Sequence, residues 1–148
     1  MSADADGIRH LIAAYCQLCD DGRFGAWGEL FADDAEMFVM GQSHAGRSAI
    51  VAFIEAGQPP QRRGKHVVSE PWILVEPDDT GTDTGTDAGT GRAQAWTDYV
   101  FVDQDRQITS VGRYHDELVR DAGGTWRFAV REIVFQGAES QVTQPPPG

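Results

Sequence analysis

Three strand patterns, Arg92 to Val102, Ile108 to Arg120 and Trp126 to Phe135, follow one another with only short turns between them. No other feature constrains the fold as much. Each alternates side chains between two faces, and Gly123-Gly124 supplies the tight turn of the last hairpin, so the run reads as sequential antiparallel strands. A further strand pattern, Lys65 to Glu76, precedes them.

The half of the chain before Lys65 carries helical periods instead. Ile8, Leu11, Ile12, Tyr15, Cys16 and Cys19 recur at the spacing of one helical face, and Asp20-Asp21-Gly22 ends that helix. Phe24, Trp27, Leu30 and Phe31 mark a second short helix with an aromatic inner face. Ala35 to Met40 reads as a strand and Gly41 to Gly46 as a turn, and Ile50, Val51, Phe53 and Ile54 define a third helix that Pro59 and Pro60 stop. With 148 residues, 41% of them apolar, the chain can bury one core.

Charge narrows the partners. A net charge of -11 and a pI near 4.6 would repel nucleic acid and anionic membranes, so a small apolar organic ligand is expected, with no nucleic-acid or membrane partner. The opening MSADADGIRH lacks the basic and apolar regions of a signal peptide, and no stretch is apolar over a membrane-spanning length, so a cytoplasmic location is expected. Cys16 and Cys19 match C-x-x-C but lie mid-helix with no strand before them; they read as small buried hydrophobes. The Thr/Gly/Asp repeat from Thr80 to Gly89 has nothing to bury and lacks the ligand spacing of a calcium loop, so it reads as a hairpin loop.

Particular residues tie this order of elements to a known family. Ile8-Arg9-His10-Leu11-Ile12-Ala13-Ala14-Tyr15 leading to Asp20, Trp27-Gly28-Glu29-Leu30-Phe31-Ala32-Asp33-Asp34-Ala35, Gly46-Arg47-Ser48-Ala49-Ile50, Lys65-His66-Val67-Val68-Ser69, Gly112-Arg113-Tyr114-His115-Asp116 and Trp126-Arg127-Phe128-Ala129-Val130-Arg131 resemble the SnoaL-like branch of the nuclear-transport-factor-2-like superfamily. That superfamily includes scytalone dehydratase, ketosteroid isomerase, limonene epoxide hydrolase and bile-acid 7-alpha-dehydratases. The resemblance implies an α+β fold: a cone-shaped, curved antiparallel β-sheet packed with three helices from the N-terminal half around one pocket. The expected domain covers residues 1–137, with a flexible loop at 80–90 and a loosely ordered tail at 138–148. The resemblance also implies a homodimer or homotrimer, and neither cofactor nor metal.

The polar residues are then candidates for acid/base chemistry. At about 100° per residue, Tyr15 and Asp20 lie roughly 140° apart on a continuous helix and meet one ligand only if the helix loosens near Asp20. The resembling dehydratases place a Tyr and an Asp of this spacing in the pocket, against the plainer readings of a core aromatic and a solvated helix end. His66 is the preferred general base because imidazole titrates near neutrality. Asp98 shares a strand face with Gln94, Trp96, Val100 and Val102, and burial there would demand a partner such as His66 or Arg131. Arg131 could neutralise Asp98 or, with Trp96 and Phe31, contact substrate. His44 and His115 are weaker candidates.

The expected function is cofactor-free dehydration of a steroid-like or polyketide-like cyclic hydroxy compound, with Tyr15, Asp20, His66 and Asp98 catalytic. Alternatives are a ketosteroid-isomerase-like isomerase, an epoxide hydrolase of the limonene type, and a noncatalytic ligand-binding or assembly subunit.

Overall fold

A computed structural model describes residues 2–77, 91–137 and 143–147; the expected loop at 80–90 and positions 138–142 of the expected tail lie outside them. Helix α1 (Ala3–Asp20) starts where the Ser2 hydroxyl accepts a hydrogen bond from the Ala5 N–H, with Asp4 and Asp6 in the first turn to complement the helix dipole. Its buried stripe is the expected one, from Ile8 to Cys19. Gly22, in the left-handed region at φ 71°, turns the chain into the short helix α2 (Phe24–Gly28).

The aromatic stripe of α2 breaks off earlier than its spacing suggests. Phe31 opens strand β1 (Phe31–Val39), where it pairs with Phe128 instead of adding a helical turn. Met40 and Gly41, both at positive φ, then make a two-residue hairpin turn into β2 (Gln42–Ala45), a strand where the sequence suggested only a turn. Helix α3 (Arg47–Gly57) follows, and Pro59-Pro60 leads into a single 3-10 turn. The expected strand from Lys65 to Glu76 is two, β3 (Lys65–Val68) and β4 (Trp72–Val75), interrupted at Pro71, which has no N–H to give the ladder. Both pair with β5 (Gly91–Val102), which pairs with β6 (Ile108–Arg120) and through it with β7 (Trp126–Phe135).

The sheet runs β2-β1-β7-β6-β5-β3, with β4 also on β5, and is open. It is mixed and not wholly antiparallel, because β1 lies parallel to β7. The α+β cone is as expected: the helices cover the inner face, to which β5 turns Ala93, Ala95, Thr97 and Tyr99, and β6 turns Tyr114, Asp116 and Leu118. On β7 the inward set changes parity. Leu118 pairs with Phe128 but Glu117 with Val130, so Ala129 is an extra residue, and beyond it Arg131 and Ile133 face inward. Of the tail, Thr143 accepts a hydrogen bond from Arg113 through its carbonyl and donates one to Glu132. No described helix is long and apolar enough to cross a membrane.

Close packing requires the glycine at position 112. Gly112 faces Tyr99 across the β5–β6 ladder, and a Cβ there would sit 2.3 Å from the Val134 carbonyl oxygen and 2.7 Å from Tyr99 Cε1. Gly112→Ala is expected to cost about 1–3 kcal/mol. A lower urea midpoint with an unchanged slope would show it.

Candidate active site

Between α1, α3 and the inner face of the sheet lies a cavity of about 470 Å³, a size ordinary for small-molecule sites. Val39, Phe53, Ile54, Phe101, Ile133 and Phe135 give it apolar walls, and among the described residues no Lys, Arg, Asp or Glu lines it. Its polar groups are His66, Tyr15, Tyr114, Tyr99, Ser110, Gln58 and the Cys19 thiol. Burial, with Asp20 nearby, pushes that thiol up to about 12, and burial pushes Cys16 up to about 11; both cysteines are unpaired and protonated at neutral pH.

Helix α1 stays regular through Asp20, so Tyr15 and Asp20 do not share one ligand face. Asp20 turns to β3 instead. Its Oδ2 accepts from the His66 backbone N–H at 2.9 Å and its Oδ1 lies 2.6 Å from His66 Nδ1. Their side chains are only 3% and 12% exposed. With Nδ1–H donating to the carboxylate, Nε2 carries the free lone pair, the tautomer a base needs. Asp20 is therefore the orienting partner of His66, and both of its oxygens are engaged.

Tyr15 lies beside His66, ring centroids 6.4 Å apart, and both line the cavity. Behind it is a fully buried ion pair: Arg131 donates to Asp116 through Nε at 2.7 Å and Nη2 at 2.9 Å. The guanidinium carbon sits 3.9 to 4.4 Å from the ring centroids of Tyr114, Tyr15 and Phe128. Burial opposes the Arg131 charge, but the Asp116 carboxylate outweighs it and the guanidinium is held more firmly protonated than usual. Burial holds the Tyr15 and Tyr114 phenols above their ordinary range, so both are hydroxyl donors at working pH.

Four expected site residues lie elsewhere. Arg131 is sealed behind Tyr15 on Asp116, off the cavity wall and out of reach of a ligand or of Asp98, and three others are also off that wall. Asp98 is on the outer face of β5, where Arg113 donates to both of its oxygens at 2.5 and 3.2 Å, so it pairs with neither His66 nor Arg131. Trp96 shares that face: it is 5% exposed, but it stacks on His115 at 4.7 Å and does not line the cavity. Phe31 packs in the core between Trp27 and Phe128, behind Tyr15. Among the described residues, no three His, Cys, Asp or Glu gather to hold a metal ion.

The sequence matches the SnoaL-like domain over residues 1–132. The chain is a member of the SnoaL-like family. Solved structures agree on the fold. An NTF2-like protein with a cystatin-like fold from Novosphingobium aromaticivorans superposes with a TM-score of 0.69 at 25% identity, covering 92% of this chain and 84% of its own. ActVI-ORFA from Streptomyces coelicolor gives 0.66 at 17%, covering 88% and 96%, and a putative aromatic ring hydroxylase from Novosphingobium aromaticivorans gives 0.64 at 21%, covering 93% of each. No significant match is found among curated proteins.

Sequence reasoning missed several polar groups of this SnoaL-like protein. Asp116 alternates with Tyr114 and Leu118 on the inward face of β6, a visible signal. Tyr99 shares β5 with Trp96 and Asp98, but Ser110 on β6 and Gln58 after α3 have no motif to mark them.

Proposed function

We propose that this SnoaL-like protein is a cofactor-free acid/base enzyme that removes water from a neutral, steroid-like or polyketide-like cyclic hydroxyketone. The observation that supports it is the Asp20–His66 pair on the wall of an apolar cavity, with the Tyr15 phenol beside it. His66 Nε2 takes the proton next to the ligand carbonyl, and Tyr15 donates a hydrogen bond to the oxygen on which charge develops. The carbon–hydroxyl bond then breaks as the carbon–carbon double bond forms, and the proton on Nε2 leaves with the hydroxyl as water. Asp20 stabilises the transient imidazolium and fixes its orientation. Apolar walls of low dielectric strengthen these interactions relative to bulk water.

Incubation with cyclic β-hydroxyketones, followed by mass spectrometry, is expected to show loss of water together with solvent deuterium exchange at the carbon next to the carbonyl. Tyr15→Phe is expected to lower kcat about a hundredfold. Exchange without water loss would point to an isomerase, and neither signal across the panel would leave a binding subunit as the better account.

A further inference from the structure

We propose that Tyr99, backed by Ser110, is the leaving-group residue of this site: it donates a hydrogen bond to the ligand hydroxyl that departs as water. The inference rests on the acid/base reading above and narrows its substrate to a cyclic ketone whose hydroxyl sits on the β-carbon.

Four rings of the cavity wall carry the argument. The phenols of Tyr15 and Tyr99 lie almost equally far from the His66 imidazole, with ring centroids 6.4 and 6.5 Å away, and all three residues line the cavity. Tyr114 bridges the two phenols, 5.7 Å from Tyr15 and stacked on Tyr99 at 4.5 Å with planes 8° from parallel. Tyr15 comes from α1 and Tyr99 from β5, so the phenols reach a ligand from different layers of the cone. A β-hydroxyketone has a matching order: the carbon that gives up its proton stands between the carbonyl carbon and the carbon bearing the hydroxyl. With that proton at His66 Nε2 and the carbonyl oxygen at Tyr15, the hydroxyl falls to Tyr99.

Tyr99 is equipped to donate. Its Oη shares one hydrogen bond with Ser110 Oγ at 2.9 Å, so one of the two hydroxyl protons is left for a ligand. When Ser110 donates, the proton left over is the phenolic one, and a phenol is a stronger donor than an aliphatic hydroxyl. Burial raises the affinity of Tyr99 for its proton and the Ser110 hydrogen bond only partly offsets this, so the group is a neutral donor at neutral pH. The ring is held before any ligand arrives: Tyr114 covers one side, and Gly112 makes room for the phenol, since a Cβ there would sit 2.7 Å from Cε1 and 2.9 Å from Oη. A fixed donor spends little of its binding energy on ordering.

The step balances without a further reagent. His66 Nε2 removes the proton next to the carbonyl and leaves an enolate whose oxygen Tyr15 holds. The enolate electron pair forms the double bond as the carbon–hydroxyl bond breaks, and Tyr99 donates to the departing oxygen while keeping its own proton. The proton on Nε2 completes the water molecule.

The test reads how the enolate divides between taking a deuteron back and expelling the hydroxyl. In deuterium oxide, with a tetralone bearing a β-hydroxyl, mass spectrometry gives the product formed and the deuterium gained by recovered ligand. Tyr99→Phe, which keeps the stack on Tyr114, is expected to lower the ratio of product to exchange at least about tenfold, and Ser110→Ala to lower it less. Tyr15→Phe should slow both and leave the ratio near that of the parent. An equal fall in both processes for Tyr99→Phe, or no change in either, would overturn the assignment. Binding is scored separately by calorimetry on the His66→Asn variant, against the same tetralone without its hydroxyl. The hydroxyl is expected to tighten binding about fivefold, and adding Tyr99→Phe should erase the gain. A gain that is absent, or that survives Tyr99→Phe, overturns the assignment whatever the turnover. Absence of turnover in the unsubstituted protein sinks the acid/base reading, while the affinity comparison still decides whether Tyr99 holds the hydroxyl.

Discussion

Asp116→Ala is expected to destabilise the fold by about 3–5 kcal/mol, a fall in Tm of about 10–15 °C for a chain of this length. Both members of the Asp116–Arg131 pair are fully buried, and two hydrogen bonds join them. Removing the carboxylate leaves a guanidinium with no counter-charge in a core made of Tyr15, Tyr114 and Phe128 rings, and three ring faces do not replace an ion. Nη1 of Arg131 already lacks a hydrogen-bond partner, so the site has no spare acceptor to offer the others. The control is the double change Asp116→Leu with Arg131→Met, which removes both charges while keeping volume and is expected to be close to neutral. Equal instability of the single and double variants would show that packing, and not the stranded charge, carries the effect. Activity is expected to fall alongside stability in the single variant, because the guanidinium that supports the Tyr15 ring loses its anchor.

That pair shows where the sequence stops being informative. Alternation places Asp116 with Tyr114 and Leu118 and counts Arg131 with Ala129, yet their partnership depends on the one-residue bulge at Ala129. Without it, the hairpin register would set Asp116 opposite Val130. Nothing in the local residues announces a bulge, which is fixed by how β7 must turn to meet both β6 and β1. The helices were legible because apolar side chains at helical spacing admit one buried face, and α1 buries the stripe expected of it. On β5, alternation sorted the residues into two sets correctly and left open which set faces the core. A Trp among Gln94, Asp98 and Val100 suggests the inner side, but Trp96 is buried by stacking on His115 on the outer one, and Asp98 goes with it to Arg113. Tyr15, Asp20 and His66 were visible as polar candidates. That Asp20, rather than Asp98, holds His66 depends on how α1 docks against β3, a contact spanning 46 positions that no local pattern encodes.

His66→Asn is expected to lower kcat by about 10²–10⁴ while leaving stability within about 1 kcal/mol of the parent. The choice of asparagine matters because Asp20 is buried and depends on His66 for both of its hydrogen bonds. An asparagine keeps the backbone N–H to Oδ2, and its amide can donate to Oδ1, so the carboxylate is not abandoned. His66→Ala keeps only the first bond and should lose about 1–3 kcal/mol more, which would mix a folding defect with a chemical one. A near-native rate in the Asn variant would exclude the imidazole as the base and move the search to the remaining hydroxyls of the cavity. Asp20→Asn is the complementary change: the base remains but its tautomer is no longer imposed and its imidazolium no longer compensated. A smaller loss of kcat than in the His66 variant is therefore expected. A purely structural role for Asp20 would lower the folded fraction and leave kcat per folded molecule unchanged with KM unaltered, so kcat normalised to folded protein separates positioning from support.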